Sequence, residues 1–262
     1  MRKNRINSRP GTSKFWRLIS KLVILSIIIF LALFFIISYI WRVFRASDYF
    51  KIAGVITKDA ESIDLTYLKG KNIFSIDLKR ESGYILESFP EYAFVTLSRV
   101  FPNRVFAYFI KRRPTALIKL YKYFAVDEEG VIFNPQNLPG ELELPVIDGL
   151  ETRIFGPKPG KKYNIKELVI ALNIIKELRK SKGLKNYKIK KIDAVNALSL
   201  AVFIQDIGPE FLEVKLGADN IRYKIALLGG LITAARQDIG NIKYIDLRFK
   251  DPVIKFNDVK SK

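Results

Sequence analysis

Asp127, Glu128 and Glu129 stand side by side ahead of Gly130, and Glu141 and Glu143 lie in a stretch bounded by Pro139-Gly140 and Pro145. Any catalysis would fall to such carboxylates or to Lys, Tyr or Ser, because the 262 residues include no His and no Cys. Those two absences exclude thiol nucleophiles, disulfides, thiolate metal sites, imidazole bases and the Ser-His-Asp triad. A glycan hydrolase needs two carboxyl groups about 5–10 Å apart across a cleft. Adjacent acids before a glycine are the composition of a hairpin turn instead, and acids in a Pro- and Gly-bounded loop are expected to be solvated. Gly229-Gly230 falls inside a helical pattern without phosphate-loop spacing and reads as close helix packing. No catalytic residue, no metal site and no cofactor is assigned.

What remains is recognition. Two sets of side chains are candidates for partner binding. The first is the cationic run Lys111, Arg112 and Arg113 with Arg99, at the ends of two alternating apolar stretches; it is either a protein-binding strand end or a solvated hairpin edge. The second is the late stretch Lys243 to Phe249, KYIDLRF. As a strand it would turn Ile245, Leu247 and Phe249 to one side and Tyr244, Asp246 and Arg248 to the other. An edge strand there would expose backbone N–H and C=O groups that a strand of another protein can complete.

The elements that carry these residues begin with an anchor. Leu22 to Trp41 is twenty uncharged residues, LVILSIIIFLALFFIISYIW. At about 1.5 Å per residue it reaches roughly 30 Å, the thickness of a bilayer core. Apolar side chains on all sides leave no polar face, so the helix is expected to span rather than to lie on a membrane or sit in a soluble core. The run is too long for a signal-peptide core, and no A-x-A site follows it. Arg2, Lys3, Arg5, Arg9, Lys14, Arg17 and Lys21 precede it, against Arg42 and Arg45 just behind it. The denser flank is retained in the cytoplasm, which puts everything from about Ala46 outside. Residues 1–45 carry nine of the 45 cations and no acid, so the exported part has 36 cations against 26 acids. The formal charge of +19 therefore reflects topology and anionic lipid in large part, not nucleic acid. No small-molecule substrate is indicated.

Beyond the span, Ser47–Thr57 reads as a strand, about Ala60–Leu68 as a helix and about Leu78–Ser88 as a second helix stopped by Pro90. YAFVTLSRVF and RVFAYFIKRR read as two paired strands around Pro102-Asn103. The order β-α-α-β-β describes a small α+β module with two helices on a three-stranded sheet.

These residues resemble the polypeptide-transport-associated (POTRA) module of bacterial cell-division proteins of the FtsQ/DivIB type. The shared pattern is Leu68, Gly70, Asn72 and Phe74, then Pro90, Arg99, Pro102, Pro114 and Ala116, with the three prolines at a spacing of twelve. Lys111 stands where the family usually has Glu, and Asp59 stands nearest to a Gly expected after the first strand. The resemblance continues through Tyr123–Phe133 (strand, D-x-x-G turn, strand), Leu144–Gly149, a helix at about Ile165–Lys180 and strands at about Lys188–Val195, Leu198–Ile204 and Phe211–Leu216. A helix carrying Lys224, Leu228 and Ile232 and the Y-I-D-L-R-aromatic strand at Lys243–Phe249 complete it.

The fold expected is α+β: an N-terminal transmembrane helix, a POTRA module and a mixed β-rich domain with two packed helices. Its divisions are a basic tail (1–21), the span (22–41), the module (47–116), the β-rich domain (117–257) and a tail (258–262). The resemblance implies a non-enzymatic scaffold of the division septum. It would bind other single-span division proteins through Tyr244, Asp246, Arg248 and Phe249 and help to position septal peptidoglycan synthesis. The alternatives are a POTRA-bearing export or assembly component and an anchored, carboxylate-dependent wall enzyme. The former usually repeats the module or continues into a barrel, and neither is seen in this sequence.

Overall fold

A computed structural model describes residues 12–58, 63–135, 143–206, 211–235 and 239–257. Helix α1 runs from Thr12 to Ala46. An 18-residue window within Phe15–Ala46 has mean hydropathy 3.0, and none of that window is buried inside the protein. An apolar surface of that extent is stable only in a nonaqueous phase, so α1 is a membrane-crossing helix by length and composition.

The chain divides into two compact units, Met1–Glu81 with Thr96–Tyr108, and Ser82–Val95 with Phe109–Lys262. The division runs through two strands of a three-stranded sheet of order β1-β3-β2, made of β1 (Gly54–Lys58), β2 (Tyr92–Val100) and β3 (Arg104–Lys111). β1 pairs with β3 in parallel, from Gly54 opposite Arg104 to Lys58 opposite Tyr108. In the first unit Ile52, Leu68, Ile73, Val105 and Ala107 are among the most deeply buried apolar residues. Asn72 joins this set to the membrane helix: its Nδ2 donates to the carbonyls of Phe44 (3.0 Å) and Ser47 (3.3 Å). Carbonyls at a helix C-terminus have no partner within the helix, and a buried amide supplies one here. Asn72, one of the pattern residues shared with the family, is thus a helix cap.

Two expected elements are shorter than anticipated. The strand expected from Ser47 begins at Gly54, because the Ser47 hydroxyl accepts from the Tyr49 N–H and starts a 3₁₀ turn over Asp48–Phe50. The helix expected at Ala60–Leu68 is a 3₁₀ turn over Thr66–Leu68, started where Asp64 Oδ1 accepts from the Thr66 N–H; residues 59–62 lie outside the described residues. Asx and Ser side chains compete with helix and strand hydrogen bonding in this way. Helix α2 (Leu78–Ser88) has the expected bounds. Asp77 caps it by accepting from Lys79 and Arg80 N–H at 3.1 Å, and Pro90 follows its end.

The second unit carries a nine-stranded mixed sheet of order β12-β11-β10-β9-β8-β7-β4-β5-β6. Its strands are β4 (Ala116–Lys119), β5 (Tyr123–Val126), β6 (Ile132–Phe133), β7 (Val146–Asp148) and β8 (Lys188–Asn196). β9 (Ser199–Gln205), β10 (Leu212–Leu216), β11 (Ile242–Asp246) and β12 (Val253–Phe256) complete it. Helices α3 (Lys166–Lys180) and α4 (Ile221–Ala234) join the parallel pairs β7/β8 and β10/β11. On α3, Leu168, Leu172, Ile175 and Leu178 form a buried stripe at helical spacing, and Ala171 and Ile174 widen it. It belongs to one continuous core with Leu228 and Ile232 of α4 and Ile192, Val202 and Val214 of the sheet.

Gly149 ends β7 with φ at +84°, and a Cβ there would stand 2.5 Å from Val195 Cγ2 and 2.8 Å from Val195 N. Side chains rarely adopt that φ, and a strand lies against it. Gly149→Ala is expected to lower unfolding stability by about 2 kcal/mol or more, read from a denaturant midpoint shift, because both strain and clash apply.

Candidate protein interface

The cations singled out at the strand ends turn out to be divided between structure and solvent. Arg99 donates from Nε to Ile73 O and from Nη2 to Ile76 O, both at 2.8 Å, so its guanidinium ties down the loop before α2. Arg112 donates from Nε to Pro90 O at 3.0 Å and from Nη1 to Asp127 Oδ2 at 2.7 Å, with both side chains of the ion pair 10% exposed. A pair so enclosed is a fastening: removing one partner strands a buried charge, at a cost of about 3–5 kcal/mol. Lys111 and Arg113 flank it and are exposed.

The same pair decides how Asp127, Glu128 and Glu129 are used. Asp127 Oδ1 accepts from the N–H groups of Glu129 (3.0 Å) and Val131 (2.8 Å), and its carbonyl accepts from Gly130 N. The acids are therefore a hairpin turn between β5 and β6, as their spacing before Gly130 indicates. Glu143 pairs with Lys188 at 2.7 Å, and Glu141 lies outside the described residues. A cavity of about 460 Å³ is lined by Glu143 as its one acid, with Arg179, Lys185, Lys188 and Lys190. Among the described residues it has no second carboxyl facing Glu143, as a wall hydrolase would require.

The late strand is ordered by a second charge pair. Asp246, 5% exposed, receives Arg248 Nε on both oxygens (2.9 and 3.1 Å) and Nη2 on Oδ2 at 2.6 Å. The Arg248 backbone N–H donates to Oδ1 at 3.0 Å, and Nη1 reaches Ser199 Oγ at 3.0 Å. The Arg248 hydrogen bonds hold the Asp246 carboxyl below the usual Asp range against the opposing effect of burial, with a further contribution from the Lys215 charge. Tyr244 lies under Lys215, whose Nζ is 4.3 Å from the ring centroid.

The expected alternation of faces holds for Ile245 and Leu247, both 1% exposed, and breaks at Phe249, which is 62% exposed. The reason is that β11 ends at Asp246 and a turn follows, so Phe249 is not on the strand. The expected edge also moves. After Pro252 the chain returns as β12, antiparallel to β11 with Ile254 opposite Ile245 and Val253 opposite Asp246. β11 is therefore an interior strand, and β12 ends the sheet. Its Val253 and Phe256 are 48% and 51% exposed. This strand was missed by sequence reasoning, although V-I-K-F behind a Pro is a legible four-residue strand.

Tyr244, Asp246, Arg248 and Phe249 thus share one end of the sheet with β12. Lys111, Arg112 and Arg113 lead into β4, separated from β11 by four strands, or about 24 Å at 4.8 Å per step. Arg99 belongs to the other compact unit. The eight residues do not make one patch.

One helix long and apolar enough to cross a membrane stands ahead of a mixed α+β fold whose larger sheet ends on one side at β12. Residues 116–248 match the family model "Cell division protein FtsQ/DivIB, C-terminal". This chain belongs to the FtsQ/DivIB family. Similar proteins include the cell division protein FtsQ of Geotalea daltonii, 26% identical over 223 residues (82% of this chain, 78% of the relative). The FtsQ of Syntrophotalea carbinolica is 27% identical over 213 residues (77% and 72%). That of Anaeromyxobacter sp. is 24% identical over 223 residues (79% and 71%).

The Asp246 pair makes a pH-dependent prediction. A carboxyl whose folded pKa lies below its unfolded value of about 3.9 adds stability above that value and loses it as pH falls through the lower folded one. Asp246→Asn should therefore be less stable than the parent near neutral pH and show a shallower loss on acidification. Thermal melts between about pH 7 and about pH 2 would read both effects.

Proposed function

We propose that this chain is a non-catalytic, single-span scaffold of the division septum, which recruits another membrane-anchored division protein by adding its strand to β12. The reading includes a POTRA-type module over residues 47–116, carrying β1, α2, β2 and β3, and a partner-binding β-rich domain over 117–257. Through the recruited partner the scaffold would help to position septal peptidoglycan synthesis. Family membership and the relatives' names support the division role, and they lend nothing to the export or wall-enzyme alternatives.

The observation that carries the binding mode is the asymmetry of the sheet edges. At the β6 edge, Gly160 N donates to Ile132 O (2.7 Å), Ile132 N donates to Lys161 O (3.2 Å), and Tyr163 N donates to Gly130 O (2.9 Å). A loop thus occupies the hydrogen-bonding side of that edge. β12 has no further strand on its outer side among the described residues. Added backbone hydrogen bonds are worth about 0.5–1.5 kcal/mol net each, and the exposed Phe249 and Phe256 offer aromatic anchors beside them. Arg248 is a positioning residue in this arrangement. Its guanidinium is engaged by Asp246 and Ser199, so it holds the turn that displays Phe249 and is not a free rim charge.

Orientation follows from the seven cations ahead of the span against two behind it. A reporter active only outside the cytoplasm, fused after Lys262, should be active; a silent but stably expressed fusion would reverse the topology.

The partner edge is tested in cells by purifying the chain and quantifying the membrane-anchored division proteins that accompany it. Phe249→Ala should keep the parental melting temperature, since the ring is exposed, and weaken capture by ~2 kcal/mol or more, around thirtyfold. Lysines at Val253 and Phe256 should weaken it at least as much, because charge on an edge strand opposes further pairing. Undiminished capture by both folded variants would move the interface away from β12.

A further inference from the structure

Five aromatic rings connect the end of the membrane helix to the tip of the β2–β3 hairpin, all within the first compact unit. Trp41 and Phe44 of α1 each lie 6.1 Å from Phe74, edge to face. Phe50 stacks on Phe44 at 5.2 Å and meets Phe74 at 5.1 Å. Phe74 in turn meets Phe101 at 5.6 Å. This set is not enclosed: Trp41 is 52% exposed, Phe44 41% and Phe101 61%, with neighbouring Tyr49 at 67%. A contiguous aromatic surface of this kind on a folded domain marks a contact site.

We infer that the hairpin tip led by Phe101 is seated in the lipid headgroup layer from which α1 emerges, so that the module rests on the membrane as part of its anchor. The depth follows from the helix. The uncharged run ends at Trp41, which places that ring at the margin of a hydrocarbon core about 30 Å thick, and the polar layer beyond is about 5–8 Å deep. Phe74 packs directly on Trp41, and Phe101 packs on Phe74, so the hairpin tip lies two ring contacts from that margin. Aromatic rings are favoured at this depth. Arg42, Arg45, Lys51, Lys71 and Arg104 are exposed in the same unit, as contact with anionic headgroups requires.

The arrangement is held by buried polar contacts as well as by ring packing. Asn72, 9% exposed, donates to Phe44 O and Ser47 O and accepts from Phe74 N at 2.9 Å. Arg99 holds the carbonyls of Ile73 and Ile76 on either side of the ring-bearing segment. The aromatic set is therefore continuous with the membrane helix in both surface and backbone. A bilayer already surrounds that helix, and it is the occupant the surface fits.

The inference rests on α1 spanning the bilayer and is independent of its orientation and of the partner edge. The chain has no native Cys, so single-cysteine variants accept an environment-sensitive NBD label at one site. The full chain is placed in phosphatidylethanolamine–phosphatidylglycerol vesicles with the label at Phe101, at Val100 with Phe101 retained, or at Leu31 in mid-span. Labels at 101 and 100 should emit at shorter wavelength than the free dye–cysteine adduct in buffer. They should be quenched several-fold less by aqueous iodide, and strongly by lipid with a headgroup nitroxide. With the label at 100, Phe101→Asp should restore iodide quenching and Phe101→Trp should not. Iodide quenching at 100 and 101 equal to that of the free adduct, with Leu31 shielded, would overturn the inference and leave the span intact. An iodide-accessible Leu31 would overturn both.

Discussion

An open β-sheet has two edges, and the backbone groups along each must be paired, solvated or covered. In this protein that constraint organises the larger unit. At β6 the requirement is met internally, by the stretch Gly160–Tyr163 laid along a two-residue strand. At the other end the sheet is extended past β11 by four residues, and there it stops. The sheet is thus built to end differently on its two sides. The core formed by α3, α4 and the central strands lies between these two ends.

Charge is used in this framework mainly to hold backbone. Arg99, Arg112 and Arg248 each bind carbonyls, a carboxylate or both, and Asp127 and Asp246 each bind backbone N–H groups as well as an arginine. A guanidinium can do this because its donors are fixed in a planar fork and it does not lose its charge on partial burial. Such residues look like binding determinants in a sequence, since they are cations at strand ends. In three dimensions their donors are engaged within the fold, next to Phe74 in one unit and Phe249 in the other.

The first unit joins two solvents. α1 is a helix for lipid, while Ile73, Val105 and Ala107 form a water-excluding core, and the aromatic rings between them suit neither environment alone. Asn72 resolves the polar part of the problem by supplying partners to helix-end carbonyls that would otherwise lie buried and unpaired. Rings with large apolar faces are suited to the remainder, because the bilayer margin accepts them.

Much of this was legible from residues alone where the signal is local. Twenty uncharged residues make a helix long and apolar enough to cross a membrane, Asp127 to Gly130 carry the composition of a turn, and the stripe of α3 repeats at helical spacing. The roles of Arg112 and Arg248 were not legible, because they depend on Pro90 and Asp127 in one case and on Asp246 and Ser199 in the other. Ser199 lies 49 residues from Arg248 in the chain. The sequence suggests an edge strand at Lys243–Phe249, but which strand is outermost is a property of the assembled sheet: β11 is interior because β12 folds back on it. Composition and periodicity act over a few residues and so determine element type and environment. Edges, buried ion pairs and the exposure of a single ring such as Phe249 arise from which distant segments meet, and only the tertiary structure decides that.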